Sequence, residues 1–227
     1  LAHLHHLEQA ALLHDTPASG PTMRVVSVSV GGSRLFWACK RLSDIVLSLI
    51  MLALALPLAL ILLVLNPKSN PGPLFYRQER AGRDLVPFRI WKFRTMVGKS
   101  EIHRFAPYEA DRLRQLGRFL RQAHLDELPQ AINVLLGQMS VVGPRPEQSS
   151  FVAKYLQSIP SYHYRYMVRP GISGLAQVEQ GYTHTHQGTA RKLRYDLFYI
   201  RKAGFWMEFY VYWKTAVLLI RKALHIA

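Results

Sequence analysis

The chain has one cysteine in 227 residues, Cys39. It can therefore build neither an internal disulfide framework nor a cysteine-based zinc site. Acidic residues are also scarce: 14 Asp and Glu stand against 29 Lys and Arg, a formal charge of +15. That imbalance favours a polyanionic partner: nucleic acid, an anionic membrane surface or a phosphate-rich substrate. The sequence contains no GxxxxGK[ST] phosphate loop and no GxGxxG dinucleotide fingerprint. Zinc spacing is missing as well. His184 and His186 would share a strand face, but two ligands are too few, and His3, His5, His6 and His14 read more simply as part of a helical tail. Internal repeats and low-complexity segments are absent.

What the chain does have is apolar weight. Hydrophobic residues make up 49% of it, high for so basic a protein. Basic and apolar together suit a membrane surface better than a nucleic-acid module, so membrane lipids are expected as partners and nucleic acid is not. The weight concentrates in Leu42–Leu65, where Asp44 is the one formal charge. As a helix these residues would span about 36 Å, against a hydrocarbon core of roughly 30 Å. The run is too long for the apolar region of a signal peptide. Pro57 sits deep within it and predicts a kink. Lys40 and Arg41 precede the run, and Lys68, Arg77, Arg80 and Arg83 follow it. The positive-inside tendency thus pulls both ends to the cytoplasm. On the residues alone, a helix that enters and leaves by one face and a plain spanning helix with a tolerated proline both stand.

Around this run, residues 1–38 read as an N-terminal tail or linker, or the remnant of a longer protein, with a short strand over Arg24–Val30. Residues 39–66 read as the membrane-inserted segment and 67–227 as a catalytic domain. Leu74–Arg80 and Leu85–Thr95 flank Ala81-Gly82-Arg83-Asp84 and predict a β-hairpin. Helical spacing covers Ala110–Gln122, Asp126–Gly137, Phe151–Met167 with an interruption near Pro160, Arg191–Ala203 and Phe205–Ala223. The last of these is aromatic, apolar and basic. It suits a membrane interface, although a core helix fits equally well. The expected class is α+β, mostly helical: a membrane helix, interfacial amphipathic helices and a small β-hairpin.

Four groups of residues could carry chemistry. Asp126 and Glu127 are adjacent, so on a helix they diverge by about 100° and cannot face one point; they suit different roles. One can attack phosphorus and the other can hold a metal or assist proton movement. An Asp-Glu pair equally fits a plain helix N-terminus, where the dipole favours acids. Gly143-Pro144-Arg145-Pro146 restricts the backbone around Arg145, and a fixed guanidinium suits phosphate oxygens. Lys92 and Arg94 lie two apart and would share a strand face, where they could grip a diphosphate or simply guard an edge. Val168–Val178 is punctuated by Gly171 and Gly174, whose amides could approach an anion or satisfy turns.

Taken together, Leu125-Asp126-Glu127-Leu128-Pro129-Gln130, Gly143-Pro144-Arg145-Pro146, Phe88 with Lys92-Phe93-Arg94-Thr95-Met96, Gly72-Pro73 with Gln78, Arg80 and Gly82, and Arg169-Pro170-Gly171-Ile172-Ser173-Gly174 resemble the bacterial sugar transferases. These are the monotopic polyprenyl-phosphate phosphoglycosyl transferases of exopolysaccharide and O-antigen synthesis. The resemblance covers roughly residues 39–223. It implies a re-entrant helix and transfer of a sugar 1-phosphate from a UDP-sugar to polyprenyl phosphate at the cytoplasmic face of the bacterial inner membrane. It further implies Asp126 as nucleophile, Glu127 as its assisting partner and Mg2+ as cofactor, with Asp126 and Glu127 as metal ligands. Arg145, Lys92, Arg94 and Arg80 become phosphate-binding candidates, and Arg169, Gly171, Gln177 and Asp196 substrate or loop candidates. Two departures stand out: Leu56 precedes Pro57 where the family often has Ser, and Glu179-Gln180-Gly181 follows Val178. A homo-oligomer is compatible with the sequence. So is a different class of protein, a non-catalytic membrane-anchored basic scaffold or an inactive truncated transferase.

Overall fold

The structure, a computed structural model, describes residues 28–98, 112–181 and 185–226. Most of the expected tail, residues 24–27 of the expected first strand, and His103 and His184 lie outside them; Val28–Val30 is irregular.

Helix α1 runs from Arg34 to Ser69, 36 residues and about 54 Å at the usual rise. Ser33 starts it, its hydroxyl accepting the Phe36 N–H at 3.1 Å. Pro57 and Pro67 lie inside, and the helix continues through both. Its polarity is inverted relative to a soluble amphipathic helix. The face turned to the protein carries Lys40, Asp44, Ser48 and Asn66 beside Phe36, Ala55 and Leu62. The outward face shows Leu42, Leu49, Leu56, Leu60 and Val64. The buried charges are matched: Lys40 donates to the Val142 carbonyl at 3.0 Å and to Glu208 at 2.9 Å. Asp44 accepts from the Ser140 hydroxyl and the Val141 N–H. At the other end, Leu62 packs with Phe93 and Leu120. Asn70 donates to the Arg94 carbonyl at 2.8 Å. Both ends of α1 therefore rest on the same body.

The hairpin forms where alternation predicts it: β1 (Phe75–Ala81) pairs antiparallel with β2 (Pro87–Phe93), Gln78 opposite Ile90. Phe88 and Ile90 point inward onto Val134 and Met139. Helix α2 covers Gln115–Gln122 of the expected 110–122 helix; it starts later because Leu113 bridges to Met96 and Arg114 is extended. The expected helix from Asp126 differs. Leu125–Gln130 is a 3-10 segment, and helix α3 occupies only Ala131–Leu135. Pro129 lacks a backbone donor, and His124, at φ 56°, turns the chain before it. Helix α4 (Ser149–Ser158) and a 3-10 segment, Tyr162–Met167, flank the expected break at Pro160. Helix α5 covers Leu175–Glu179. Helix α6 (His186–Arg201) begins before the expected Arg191 because the Thr185 hydroxyl accepts the Gly188 N–H. Helix α7 (Phe205–Ile226) closes the chain, burying Val211 and leaving Trp206, Phe209 and Trp213 exposed.

One pairing was not legible in the sequence. β3 (Ser140–Val142) and β4 (Gly171–Ser173) form a parallel pair of three residues each. Their glycines permit it. A Cβ on Gly171 would lie 2.1 Å from the Gly143 nitrogen, so the two backbones approach as only glycine allows. The class is α+β and mostly helical, with a two-stranded antiparallel hairpin, as expected.

Candidate active site

The site is assembled by three backbone segments: the 3-10 segment Leu125–Gln130, strand β2 beside it, and the turn leaving β3. In a 3-10 segment successive side chains diverge by about 120°, so Asp126 and Glu127 reach different neighbours. Glu127 faces β2 and the turn. Its Oε1 accepts Lys92 Nζ at 2.6 Å and Arg145 Nη2 at 2.6 Å. Burial opposes ionisation of Glu127, but Arg145 and Lys92 prevail and hold it well below the usual carboxylate range. Asp126 has no hydrogen-bond or ion-pair partner among the described residues, though it is only 7% exposed. Burial raises its carboxyl to about 6 against the pull of Lys92, Arg121 and Arg145. Adjacent carboxylates thus differ: one is fixed and charged, the other unpartnered and near neutrality.

Arg80 joins from β1. Its Nη1 donates to the Pro146 carbonyl at 3.1 Å and its Nη2 to Gln78 at 2.6 Å, while its Nε is buried without a partner. Burial and the neighbouring Arg145 lower it to about 10. Lys92 is lowered by burial against the pull of Glu127. Lys92 and Arg145 therefore grip one firmly ionised carboxylate, with Arg80 as a third cation beside Arg145.

Other sequence candidates sit elsewhere. Arg94 does not share the Lys92 cluster: it lies just past β2, where its guanidinium donates to the carbonyls of Pro73 (2.6 Å), Met96 (3.1 Å) and Asn70. It closes the loop after α1 instead of facing Glu127. Gly171 does not offer its amide to an anion, because that N–H donates to the Pro144 carbonyl at 2.9 Å. Asp196, 1% exposed, is paired with Arg165 at 2.8 Å and faces neither Asp126 nor Glu127. Arg169 donates to the Gly137 carbonyl at 2.8 Å, beyond the far end of α3. Gln177 does approach: it donates to the Ile172 carbonyl at 3.0 Å, and Arg145 reaches the same oxygen at 3.5 Å.

Sequence reasoning missed the scaffold behind Arg145. Arg165 is buried and donates to the Arg145 carbonyl at 2.9 Å, while Arg80 holds Pro146 next door. Arg165 also pairs with Glu147 at 3.4 Å, and Lys192 bonds the same Glu147 oxygen. The signal available was a lone Arg among Tyr162, Tyr164 and Tyr166; its guanidinium lies 5.1 Å from the Tyr162 ring centre and 5.6 Å from that of Tyr166.

No group of three or more metal-ligating side chains occurs among the described residues. The donor set nevertheless fits magnesium, which is commonly held by one or two carboxylates together with substrate phosphates. Asp126 has an unengaged carboxylate for that purpose, whereas Glu127 is largely taken by Lys92 and Arg145.

Comparison with known proteins points to one group. The family model described as "Bacterial sugar transferase" matches residues 35–222. A UDP-N-acetylgalactosamine-undecaprenyl-phosphate N-acetylgalactosaminephosphotransferase of Aeromonas hydrophila is 42% identical over 185 residues, 81% of this chain and 44% of that protein. A UDP-glucose:undecaprenyl-phosphate glucose-1-phosphate transferase of Escherichia coli K12 is 38% identical over 207 residues, 89% of this chain and 42% of that protein. One of the same name from Caulobacter vibrioides is 36% identical over 216 residues, 92% of this chain and 81% of that protein. The chain thus spans less than half the length of the first two relatives. The match spans α1, the hairpin, the carboxylate pair and the Arg145 turn, and the chain belongs to the bacterial sugar transferase family.

Proposed function

We propose that this chain is a phosphoglycosyl transferase that moves a sugar 1-phosphate from a UDP-sugar to polyprenyl phosphate, the initiating step of exopolysaccharide or O-antigen synthesis. The observation that carries the proposal is the unpartnered Asp126 carboxylate beside the Lys92–Glu127–Arg145 cluster. In the first step an Asp126 carboxylate oxygen attacks the sugar-bearing phosphorus. An O–P bond forms, the bond to the bridging oxygen breaks, and UMP departs with that oxygen. In the second step a phosphate oxygen of polyprenyl phosphate attacks the same phosphorus and frees the carboxylate. Arg145 and Lys92 bind the phosphate oxygens, and Arg80 adds a third cation. Magnesium, held by Asp126 together with substrate phosphates, would supply neutralisation of diphosphate charge. Glu127 sets the positions of Lys92 and Arg145.

We propose further that α1 is re-entrant in the inner membrane and that the site faces the cytoplasm, where a UDP-sugar is found. Support comes from the outward apolar face and from both helix ends resting on one body. The aromatic face of α7 would lie at the headgroups. With Cys39 replaced by Ser, Ser33→Cys and Lys68→Cys should each react with an impermeant thiol reagent in inside-out vesicles. Reaction of only one would instead make α1 a spanning helix.

The chemistry is tested by intact-protein mass after incubation with magnesium and a panel of UDP-sugars, without lipid. A phosphosugar-sized gain is expected with one donor, together with its absence in Asp126→Asn. UMP release that needs the lipid, with no adduct under any condition, would replace the covalent route by direct transfer.

A further inference from the structure

A second group of cations lies away from Glu127. Between the first turns of α1, strand β3 and the segment before β4 is a cavity of about 250 Å³, open to solvent. Lys40, Arg41, Asp44, Arg83 and Arg169 line it, with Trp37 at its wall. None of these residues belongs to the Asp126 cluster. The catalytic segment and α3 separate the two places: Asp126 stands near one end, and the carbonyls of Val134, Leu135 and Gly137 stand at the other.

The charges here are not balanced. Lys40 is paired with Glu208, and Asp44, which accepts from Ser140 and Val141, stays as one carboxylate against Arg41, Arg83 and Arg169. Arg41 donates to the Val134 and Leu135 carbonyls at 2.7 and 2.9 Å, and Arg169 donates through Nε to Gly137. Those backbone bonds aim the guanidiniums without neutralising them. The terminal nitrogens of Arg169 have no partner among the described residues. Arg83, about half exposed, adds a third guanidinium, with Asp84 at 3.3 Å. Arg169 is depressed by burial and then by Arg41 and Arg83, with Asp44 opposing. Arg41 and Arg169, with Arg83 at the rim, outnumber Asp44 around one open cavity, an excess of guanidinium donors that suits a phosphate.

We infer that this cavity binds a phosphate group, at a site separate from the transfer chemistry. Arg169 and Arg41 are its fixed donors and Arg83 its outer one. The phosphate can come from a phospholipid headgroup, since Arg41 borders the outward apolar face of α1, or from a soluble phosphate. The inference does not depend on the transferase reading.

Native mass spectrometry of the full chain in mild detergent tests it, with phosphatidylglycerol, diacylglycerol and inorganic phosphate as probes. Phosphatidylglycerol should bind one to one, at least about tenfold more tightly than diacylglycerol, as charge-assisted bonds imply. Arg83→Gln breaks no backbone bond and should fold; it should weaken binding several-fold, and Arg169→Gln more. Saturating UDP should leave the lipid in place. Displacement by millimolar inorganic phosphate would identify the bare anion as sufficient, and no displacement would identify the headgroup. Equal retention of diacylglycerol, wild-type binding in both arginine variants, or displacement by UDP would each overturn the inference.

Discussion

Two clusters of buried charge flank the Gly-Pro-Arg-Pro turn, and they differ in balance. On one side Lys92 and Arg145 grip Glu127, with Arg80 beside Arg145, while Asp126 is pushed towards its neutral form. On the other, Arg165 and Lys192 meet Asp196 and Glu147, two cations against two carboxylates. The balanced cluster is complete without a ligand. The unbalanced one has cationic donors in excess, which a diphosphate can use. Burial of charge therefore does not by itself single out the candidate site; the failure of charges to cancel does.

The comparison can be broken from either side. Arg165→Met should be the most damaging single change to the fold. It strands Asp196 at 1% exposure, and unpaired buried charges cost about 3–5 kcal/mol. Denaturant unfolding measures this, and Arg165→Met with Asp196→Leu should recover much of the loss. Arg145→Ala should cost about 10²–10³ in turnover, the usual loss for one charge-stabilising donor, with little change in unfolding midpoint. Equal damage to both quantities would make Arg145 part of the scaffold. Acid titration separates the clusters more gently. Glu147 is lowered to about 2, since Lys192 and Arg165 outweigh burial. Its stabilisation is present above its ordinary value near 4.5 and is lost as pH falls towards 2. Melting followed from pH 6 to 2 should show that decline, and Glu147→Gln should flatten it. Arg94→Ala should have the smallest effect, about 1–2 kcal/mol from lost bonds to loop carbonyls, read as a lower melting temperature.

Much of this contrast lay in the sequence, though unevenly. The hairpin was legible because alternation and its turn are local. The long helix was legible by composition, but its inverted face was not. Lys40 lies just outside the apolar run, and nothing nearby announces Glu208 as its partner. Asp126, Glu127, Lys92 and Arg145 were found through motif order, and the structure brings the last three into contact. Arg94 misled because two-residue spacing assigns a face only while the strand lasts, and β2 ends at Phe93. Asp196 and Arg165 are separated by 31 residues, and a three-residue parallel strand leaves no periodicity to read.

The junction at Lys40 has one more consequence. Glu208 takes the Lys40 ammonium with one oxygen and the Tyr199 hydroxyl, at 2.5 Å, with the other. Lys40 and Tyr199 both reach the Val142 carbonyl, three residues before Arg145. Helices α1, α6 and α7 are thus riveted to the strand that leads into the Arg145 turn. Any rise or fall of α1 must lift or lower Arg145 with it. Under the proposed function the first helix is a depth gauge as well as an anchor: it fixes the height at which a phosphate is met.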